Sequence, residues 1–110
     1  YRVILTEAQV SLPLWPTEFG WPAAEGIRGP DLPEDFPYPY AAWISEAQQA
    51  DYLVQACRLM QERAWVGPFF IWNLNIGVNW GADRPESMFS LLRPDGSYRP
   101  AYVALRVYDP

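Results

Sequence analysis

The feature that most constrains the fold is a capped amphipathic helix between two short apolar runs. Ser45 and Gln48 have the spacing of a capping box, in which the hydroxyl accepts from the third helical amide and the amide side chain bonds back to the cap. Apolar residues recur at helical spacing, at Ala50, Leu53, Val54, Cys57, Met60 and Ala64. Polar residues lie off this stripe, at Gln49, Gln55, Arg58 and Glu62. We therefore predict a helix of about five turns that packs on one side.

Each apolar run beside this helix predicts a strand. The first extends from Leu12 to Phe19 and ends at Gly20, and the second, Phe69 to Asn73, follows a Gly-Pro break. The second run has no polar alternation, which is typical of a strand covered on both faces. Strand, helix and strand make a βαβ unit with parallel neighbours and a right-handed connection, so we expect an α/β fold.

The remaining segments predict helices at the two ends and long connections between the elements. Residues 1–10 have the pattern of the end of a helix, and Pro100 suits the first turn of a last helix. Residues 20–44 and 74–99 are rich in turn-forming residues, and Asp95-Gly96 predicts a tight turn, within a small hairpin that includes Phe89 to Leu92. Structureless connections this long are either functional or disordered.

Composition excludes several classes of chemistry. The chain contains no His and no Lys, so it supplies no Ser-His-Asp triad, Schiff-base lysine, P-loop or histidine metal site. Its net charge is −5 and its eight basic residues are scattered, which argues against nucleic acid as a partner. The longest apolar stretch is too short to span a bilayer, so we expect no membrane segment. Any catalysis by this chain must therefore use carboxylates.

Aromatic residues make up 16% of the chain, which leaves two interpretations open. Some rings face a ligand, or all of them form a dense core. Cys57 is the single cysteine, so no internal disulfide can form. Its position at helical spacing predicts a buried, inert thiol.

Four motifs together resemble the retaining glycoside hydrolases of clan A, in particular cellulase-like and β-xylosidase-like members. The segment Leu14-Trp-Pro-Thr-Glu-Phe-Gly-Trp21 is similar to the motif that ends their seventh strand. The sequences Ser45-Glu-Ala-Gln48, Phe70-Ile-Trp-Asn73 and Leu92-Arg-Pro-Asp-Gly-Ser-Tyr-Arg-Pro-Ala-Tyr102 follow in the order found in such enzymes. The resemblance implies that residues 1–110 form a single partial domain, the C-terminal βαβα segment from strand 7 to helix 8 of a (β/α)8 TIM barrel.

The same resemblance implies a function for Glu18. A retaining glycosidase needs one carboxylate to attack the anomeric carbon and a second, roughly 5 to 5.5 Å away, to protonate the leaving oxygen. Glu18 matches the attacking nucleophile. In the family the acid/base follows an Asn, and this chain contains no Asn-Glu pair. We therefore expect the acid/base to lie outside the chain. Glu7 is also preceded by Thr, but it lies before the strand and is expected on a solvated helical face.

Candidate substrate-binding residues come from the strand ends and the loops. Trp72 resembles the tryptophan that forms the floor of the sugar site in this clan, and plain core packing is its alternative. Trp21 and Trp80 would stack on sugars at the mouth of the site or pack within the loops. Asn73 and Asn75 would bond sugar hydroxyls, or cap local turns. No metal and no organic cofactor are implied.

One residue departs from the family pattern, and the length suggests a longer protein. Pro16 removes a ladder bond from the first strand, and a bulge before Glu18 would accommodate it. A full barrel needs roughly 250 residues, and this chain begins without Met, so we expect the N-terminal part of the barrel as its structural partner and a carbohydrate as substrate. The alternatives are a non-catalytic carbohydrate-binding or interaction module and a small self-contained α/β domain.

Overall fold

Helices and long connections make up most of the structure. The computed structural model describes residues 2–29 and 31–109. Four α-helices occur among these residues: α1, Arg2–Glu7; α2, Glu46–Gln61; α3, Gly77–Trp80; and α4, Pro100–Arg106. Two 3₁₀ helices, Pro39–Trp43 and Pro85–Phe89, interrupt the two long connections. The start of the first predicted helix, Tyr1, lies outside the described residues.

The strongest local signals are confirmed. Ser45 Oγ accepts from the Gln48 amide at 3.1 Å, and Gln48 Oε1 accepts from the Ser45 amide at 2.9 Å, which completes the capping box of α2. Pro100 opens α4. α2 and α4 pack against each other. Cys57 is buried on α2, and burial raises the pKa of its thiol, as expected of an inert thiol.

The predicted α/β barrel segment is wrong. About 40% of the structure is helical and 6% is strand, and no sheet forms among the described residues. The two apolar runs do lie side by side and parallel, but they meet only at two isolated bridges, which pair Leu14 with Val66 and Phe19 with Ile71. We call residues 14–19 and 66–71 the first and second extended segments. Two bridged positions on each segment do not constitute the strands of a barrel.

Proline explains why the pairing does not extend into a ladder. Both bridges have the same offset in sequence, and Pro16 lies two residues after the first bridged residue, Leu14. A regular ladder would continue with an N–H of residue 16 bonded to the Gly67 carbonyl, and proline has no N–H to donate. The Pro16 carbonyl accepts from the Phe70 amide at 3.0 Å, whereas a regular ladder would use the Phe69 amide.

This irregularity changes which side chains share a face. Leu14 and Phe19 both bond to the second segment, although they are five positions apart, an odd spacing. Residues that bond to the same neighbour present their side chains on the same face, so the irregularity brings Leu14 to the face of Phe19.

Two apolar clusters stabilise the structure. The larger one joins α2 and α4 to the extended segments and contains Ala50, Leu53, Leu91 and Ala101, with Phe19 and Ile71 packed against it. The smaller one lies beneath the first long connection and contains Ala24, Phe36, Ala41 and Met88. The antiparallel bridge between Leu92 and Tyr98 surrounds the predicted Asp95-Gly96 turn. Phe89 lies outside that hairpin, at the end of a 3₁₀ helix.

Candidate functional site

Glu18 lies at the edge of a cavity of about 230 Å³ where the two extended segments end. The lining consists of Glu18, Phe19, Gly20, Tyr38, Trp72 and Phe89. The Glu18 side chain is exposed, so water and solutes reach its carboxylate. The structure thus brings together the predicted nucleophile and one predicted substrate-binding residue, Trp72.

Alternation along the two segments explains this arrangement. Phe19 and Ile71 pack against the cluster shared with α2 and α4. Their chain neighbours Glu18 and Trp72 therefore face away from the helices. Phe70 precedes Trp72 by two positions, so alternation places it on the same face, and it is 51% exposed. We call the face that carries Glu18, Phe70 and Trp72 the open face.

Gly20 brings the two segments close together at the cavity. A Cβ atom at this position would lie 2.4 Å from the Trp72 carbonyl oxygen and 3.3 Å from the Phe89 ring. The first of these contacts is with backbone, which has little freedom to move. Glycine is therefore required for the approach that places Trp72 beside Glu18.

Two aromatic residues in the long connections complete the wall, and the sequence analysis did not select them. Tyr38 and Phe89 meet edge to face, with ring centroids 5.0 Å apart and planes at 85°. Tyr38 also packs against the smaller apolar cluster. No local motif identifies these two residues, because the connections that carry them meet only in the folded chain.

The chemical resources of the cavity are limited to one carboxylate and several aromatic surfaces. Glu18 is the only carboxylic acid in the lining. Among residues 2–29 and 31–109, no cluster of three or more acidic, thiol or imidazole groups is suited to a metal ion. The described chain therefore offers a nucleophile or a hydrogen-bond acceptor at this position, without a second carboxylate in the cavity lining to protonate a leaving group.

The two remaining candidate tryptophans lie elsewhere. Trp21 packs on the helix side, with its ring centroid 5.7 Å from that of Tyr52 and 6.4 Å from that of Phe19. Trp80 is 56% exposed at the end of α3 and is absent from the lining of the Glu18 cavity. Neither ring is brought beside Glu18.

The Asn73 side chain forms three hydrogen bonds within the local structure. A cis peptide bond joins Trp72 to Asn73. Its Nδ2 donates to the Glu86 carbonyl at 3.1 Å, and its Oδ1 accepts from the Ile76 amide at 2.9 Å and from the Ser90 hydroxyl at 2.7 Å. This is the turn-capping alternative considered for Asn73.

Asn75 differs from its neighbour. Its Oδ1 atom is buried and has no hydrogen-bond partner among the described residues. The side chain does not line the Glu18 cavity. A role in contacting a ligand therefore stays a prediction for this residue.

A buried polar network holds the backbone behind the cavity. Arg99 has no exposed surface. Its guanidinium donates to the carbonyls of Met88 at 2.9 Å, Ala23 at 3.2 Å and Glu25 at 3.2 Å. Its Nε lies 3.3 Å from Glu46 Oε1, an ion pair without hydrogen-bond alignment. Burial lowers the pKa of Arg99 to about 10, which leaves the group charged at neutral pH.

Gln49 extends this network toward the cavity and corrects its predicted place on the polar side of α2. The side chain is completely buried. Its Nε2 donates to the carbonyls of Trp21 at 2.8 Å and Met88 at 3.1 Å, while its Oε1 accepts from Arg99 at 3.2 Å. Trp21 follows Gly20 and Met88 precedes Phe89, so Gln49 fixes the distance between two walls of the cavity.

None of the helices in the described part of the chain has both the length and the apolar character needed to cross a bilayer. No protein family matches this sequence, and no curated protein is significantly similar to it.

Proposed function

We propose that this chain carries the nucleophile and an aromatic wall of a retaining glycoside hydrolase that acts on a poly- or oligosaccharide. The observation that carries the proposal is that Glu18 and Trp72 line one cavity. An accessible carboxylate next to a flat aromatic surface suits a sugar ring, which has an apolar face and a reactive carbon at its edge. The resemblance of residues 14–21 to a nucleophile motif points to the same chemistry.

The proposed reaction has two steps. In the first, a Glu18 oxygen forms a bond to the anomeric carbon while the bond to the leaving oxygen breaks, and an external carboxylic acid protonates that oxygen. In the second, the same external group removes a proton from water, whose oxygen attacks the anomeric carbon and releases Glu18. The product keeps its anomeric configuration, because each step inverts that carbon once.

The second carboxylate is proposed to come from outside the 110 residues. Glu18 is the only acid in the cavity lining, and protonation of the leaving group needs a partner on the open face. The open face is where such a partner has access, since the opposite face is covered by α2 and α4. Trp72, Tyr38 and Phe89 are proposed to hold the reacting sugar against Glu18.

Covalent trapping tests this assignment. The full-length protein is treated with 2-fluoroglycosides, which slow release of the glycosyl intermediate, and the labelled peptide is mapped by mass spectrometry. We expect a label on Glu18 and none in Glu18→Gln. Glu7→Gln is the matched control, because Glu7 is also exposed and also follows Thr. A label on another residue, or inversion in the product, would contradict the proposal.

The isolated chain provides a further check. The 110 residues alone are expected to hydrolyse no aryl glycoside, because a nucleophile without its acid/base forfeits leaving-group protonation. Turnover by the purified chain that disappears in Glu18→Gln would show that the acid/base lies within it. That outcome would contradict an external partner.

A second candidate function is non-catalytic carbohydrate binding. The observation that favours it is the single carboxylate in a cavity with aromatic walls. This alternative predicts that the full-length protein binds oligosaccharides while no 2-fluoroglycoside labels Glu18. Glu18→Gln would then weaken binding modestly and would abolish no reaction.

A further inference from the structure

A second cavity, of about 320 Å³, lies where the first long connection meets the start of α2. Its lining includes Glu25, Trp43, Ser45 and Gln48. None of these residues belongs to the Glu18 cavity.

Trp43 presents its ring to solvent from a fixed backbone. The side chain is 79% exposed, the largest exposed fraction among the exposed large apolar residues of the described chain. It ends the 3₁₀ helix Pro39–Trp43, whose Ala41 is completely buried. The Ala41 carbonyl accepts from the Ala24 amide at 3.0 Å, which ties this helix to the rest of the molecule. The backbone that carries the ring is therefore already ordered, which lowers the entropy cost when a ligand stacks on it.

The polar groups around the ring supply both donors and acceptors. Ser45 and Gln48 use one oxygen each in the capping box, which leaves the Ser45 hydroxyl hydrogen and the Gln48 amide N–H groups as donors. Glu25 Oε2 accepts from the Glu46 amide at 2.7 Å, and the other Glu25 oxygen makes no hydrogen bond within the described chain. A ligand with several hydroxyl groups both donates and accepts, and so matches this set.

Charge narrows the class of ligand. The cavity lining contains one acidic residue and no basic residue, so phosphate and sulfate groups would be repelled. The donors of Ser45 and Gln48 would in turn oppose a cation. A neutral sugar ring meets both conditions, with its apolar face on Trp43 and its hydroxyl groups on the polar side chains.

We propose that the Trp43 cavity is a second sugar-binding subsite, which holds a more distant part of the same polysaccharide whose reacting sugar contacts Glu18. The proposal rests on the function proposed above for the Glu18 cavity. Tyr38 lines that cavity and Trp43 lines the second one, and the 3₁₀ helix Pro39–Trp43 connects them. A 3₁₀ helix rises about 2.0 Å per residue, so the backbone positions of these two aromatics are roughly 10 Å apart. One oligosaccharide can therefore occupy both cavities.

Affinity electrophoresis of the full-length protein tests the subsite. The Glu18→Gln variant is run through native gels that contain xylan, hydroxyethylcellulose or galactomannan, so that the polysaccharide is not consumed. We expect at least one polymer to retard this variant, and Trp43→Ala in the same background to need about tenfold more of that polymer for equal retardation. Trp43→Tyr keeps an aromatic face and should recover part of the affinity.

Trp15→Ala is the matched control, because Trp15 is also exposed, at 56%, and lies outside the lining of both cavities. In the Glu18→Gln background, Trp15→Ala should be retarded as strongly as Glu18→Gln alone. Melting temperatures verify that each variant is folded.

The outcomes separate this proposal from the proposed function. Equal retardation of Trp43→Ala and the parent, or no retardation of the parent by any polymer, would overturn the second subsite. If retardation falls in Trp43→Ala but no fluoroglycoside labels Glu18, the subsite stands and the catalytic proposal fails. If Glu18 is labelled while Trp43→Ala is retarded normally, the catalytic proposal stands and the subsite fails.

Discussion

The two faces of the paired extended segments differ in how their side chains are satisfied. On the helix side, Leu53 is 1% exposed and Arg99 is completely buried, with its guanidinium bonded to several carbonyls. On the open face, Glu18 is exposed and Phe70 is 51% exposed. Stability therefore comes mainly from one face, and the other is free to bind a ligand. Changes on the helix side should alter unfolding, and changes on the open face should alter binding or catalysis.

The largest effect is expected from Arg99→Met. This change leaves the Ala23 and Glu25 carbonyls and Gln49 Oε1 without their donor. It also takes one of several donors from the Met88 carbonyl and removes one of two arginines beside the buried Glu46 carboxylate. Breaking a buried charged network in this way costs about 3–5 kcal/mol in the free energy of unfolding. Urea denaturation followed by tryptophan fluorescence measures the loss.

Arg28→Met is the control for this prediction, because the Arg28 side chain is exposed. It should change the free energy of unfolding by less than about 0.5 kcal/mol. Arg99→Lys retains the charge without the planar fork and should lie between the two. A loss in Arg99→Met no larger than that in Arg28→Met would remove the helix side as the main source of stability.

Gly20→Ala should be next in size, because it acts where the two faces meet. The added methyl group would lie 2.4 Å from the Trp72 carbonyl oxygen, so the segments must separate. Overpacking of this kind costs about 1–3 kcal/mol. The matched change Gly67→Ala meets the Trp15 indole at 2.4 Å, and that exposed side chain can move aside. Thermal melts should therefore show a clearly smaller loss for Gly67→Ala, and equal losses would contradict the close approach at Gly20.

A pair of tryptophan substitutions tests the contrast between binding and stability. Trp72→Phe on the open face should leave the melting temperature nearly unchanged and lower kcat/KM of the full-length protein about tenfold, equivalent to about 1.4 kcal/mol. Trp21→Phe should lower the melting temperature and leave kcat/KM of the folded protein nearly unchanged, since the Trp21 ring packs on Phe19 and Tyr52. If folded Trp72→Phe has unaltered kcat/KM, Trp72 serves only in packing.

The smallest effect is expected at the Asp95 turn, which belongs to neither face. The Ser97 side chain and then the Ser97 amide, at 2.9 Å, hold the pKa of the Asp95 carboxyl below its ordinary value of 3.8. Because the pKa of Asp95 is lower in the folded state than in the unfolded state, the ionised carboxylate stabilises the fold at pH values above the unfolded-state pKa. This contribution is lost as the pH falls through the folded-state pKa. Asp95→Asn should therefore lower the melting temperature slightly near neutral pH and leave it unchanged in strong acid. A difference that persists in strong acid would exclude the carboxylate charge as its cause.

Local signals in the sequence predicted the local structure well. The capping box of α2 and the proline at the start of α4 are confirmed because each depends on residues within a few positions of one another. The predicted strands failed for a reason that local patterns do not contain. Apolar character indicated pairing, but only the register reveals that the next ladder bond after Leu14 would need an N–H that Pro16 lacks.

The candidate site could likewise be predicted only where local sequence motifs carry its residues. The motif around Glu18 selected the carboxylate that borders the cavity, and the resemblance selected Trp72, which lines it. Tyr38 and Phe89 come from connections distant in sequence, so no spacing rule brings them to Glu18. Gln49 looked like a surface residue of α2 because its partners, the carbonyls of Trp21 and Met88, are contributed by other segments.

The missing amide of Pro16 also affects how the paired extended segments open locally. Backbone bonds join the extended segments at one end through the Leu14 and Gly67 amides and at the other through the Phe19, Phe70 and Trp72 amides. No proline N–H links these ends, so each can open locally without the other. Amide hydrogen exchange should therefore show two protected islands with separate rates. Fraying near Leu14 would leave the end beside Glu18 closed, so the geometry of that cavity survives motions at the distant end.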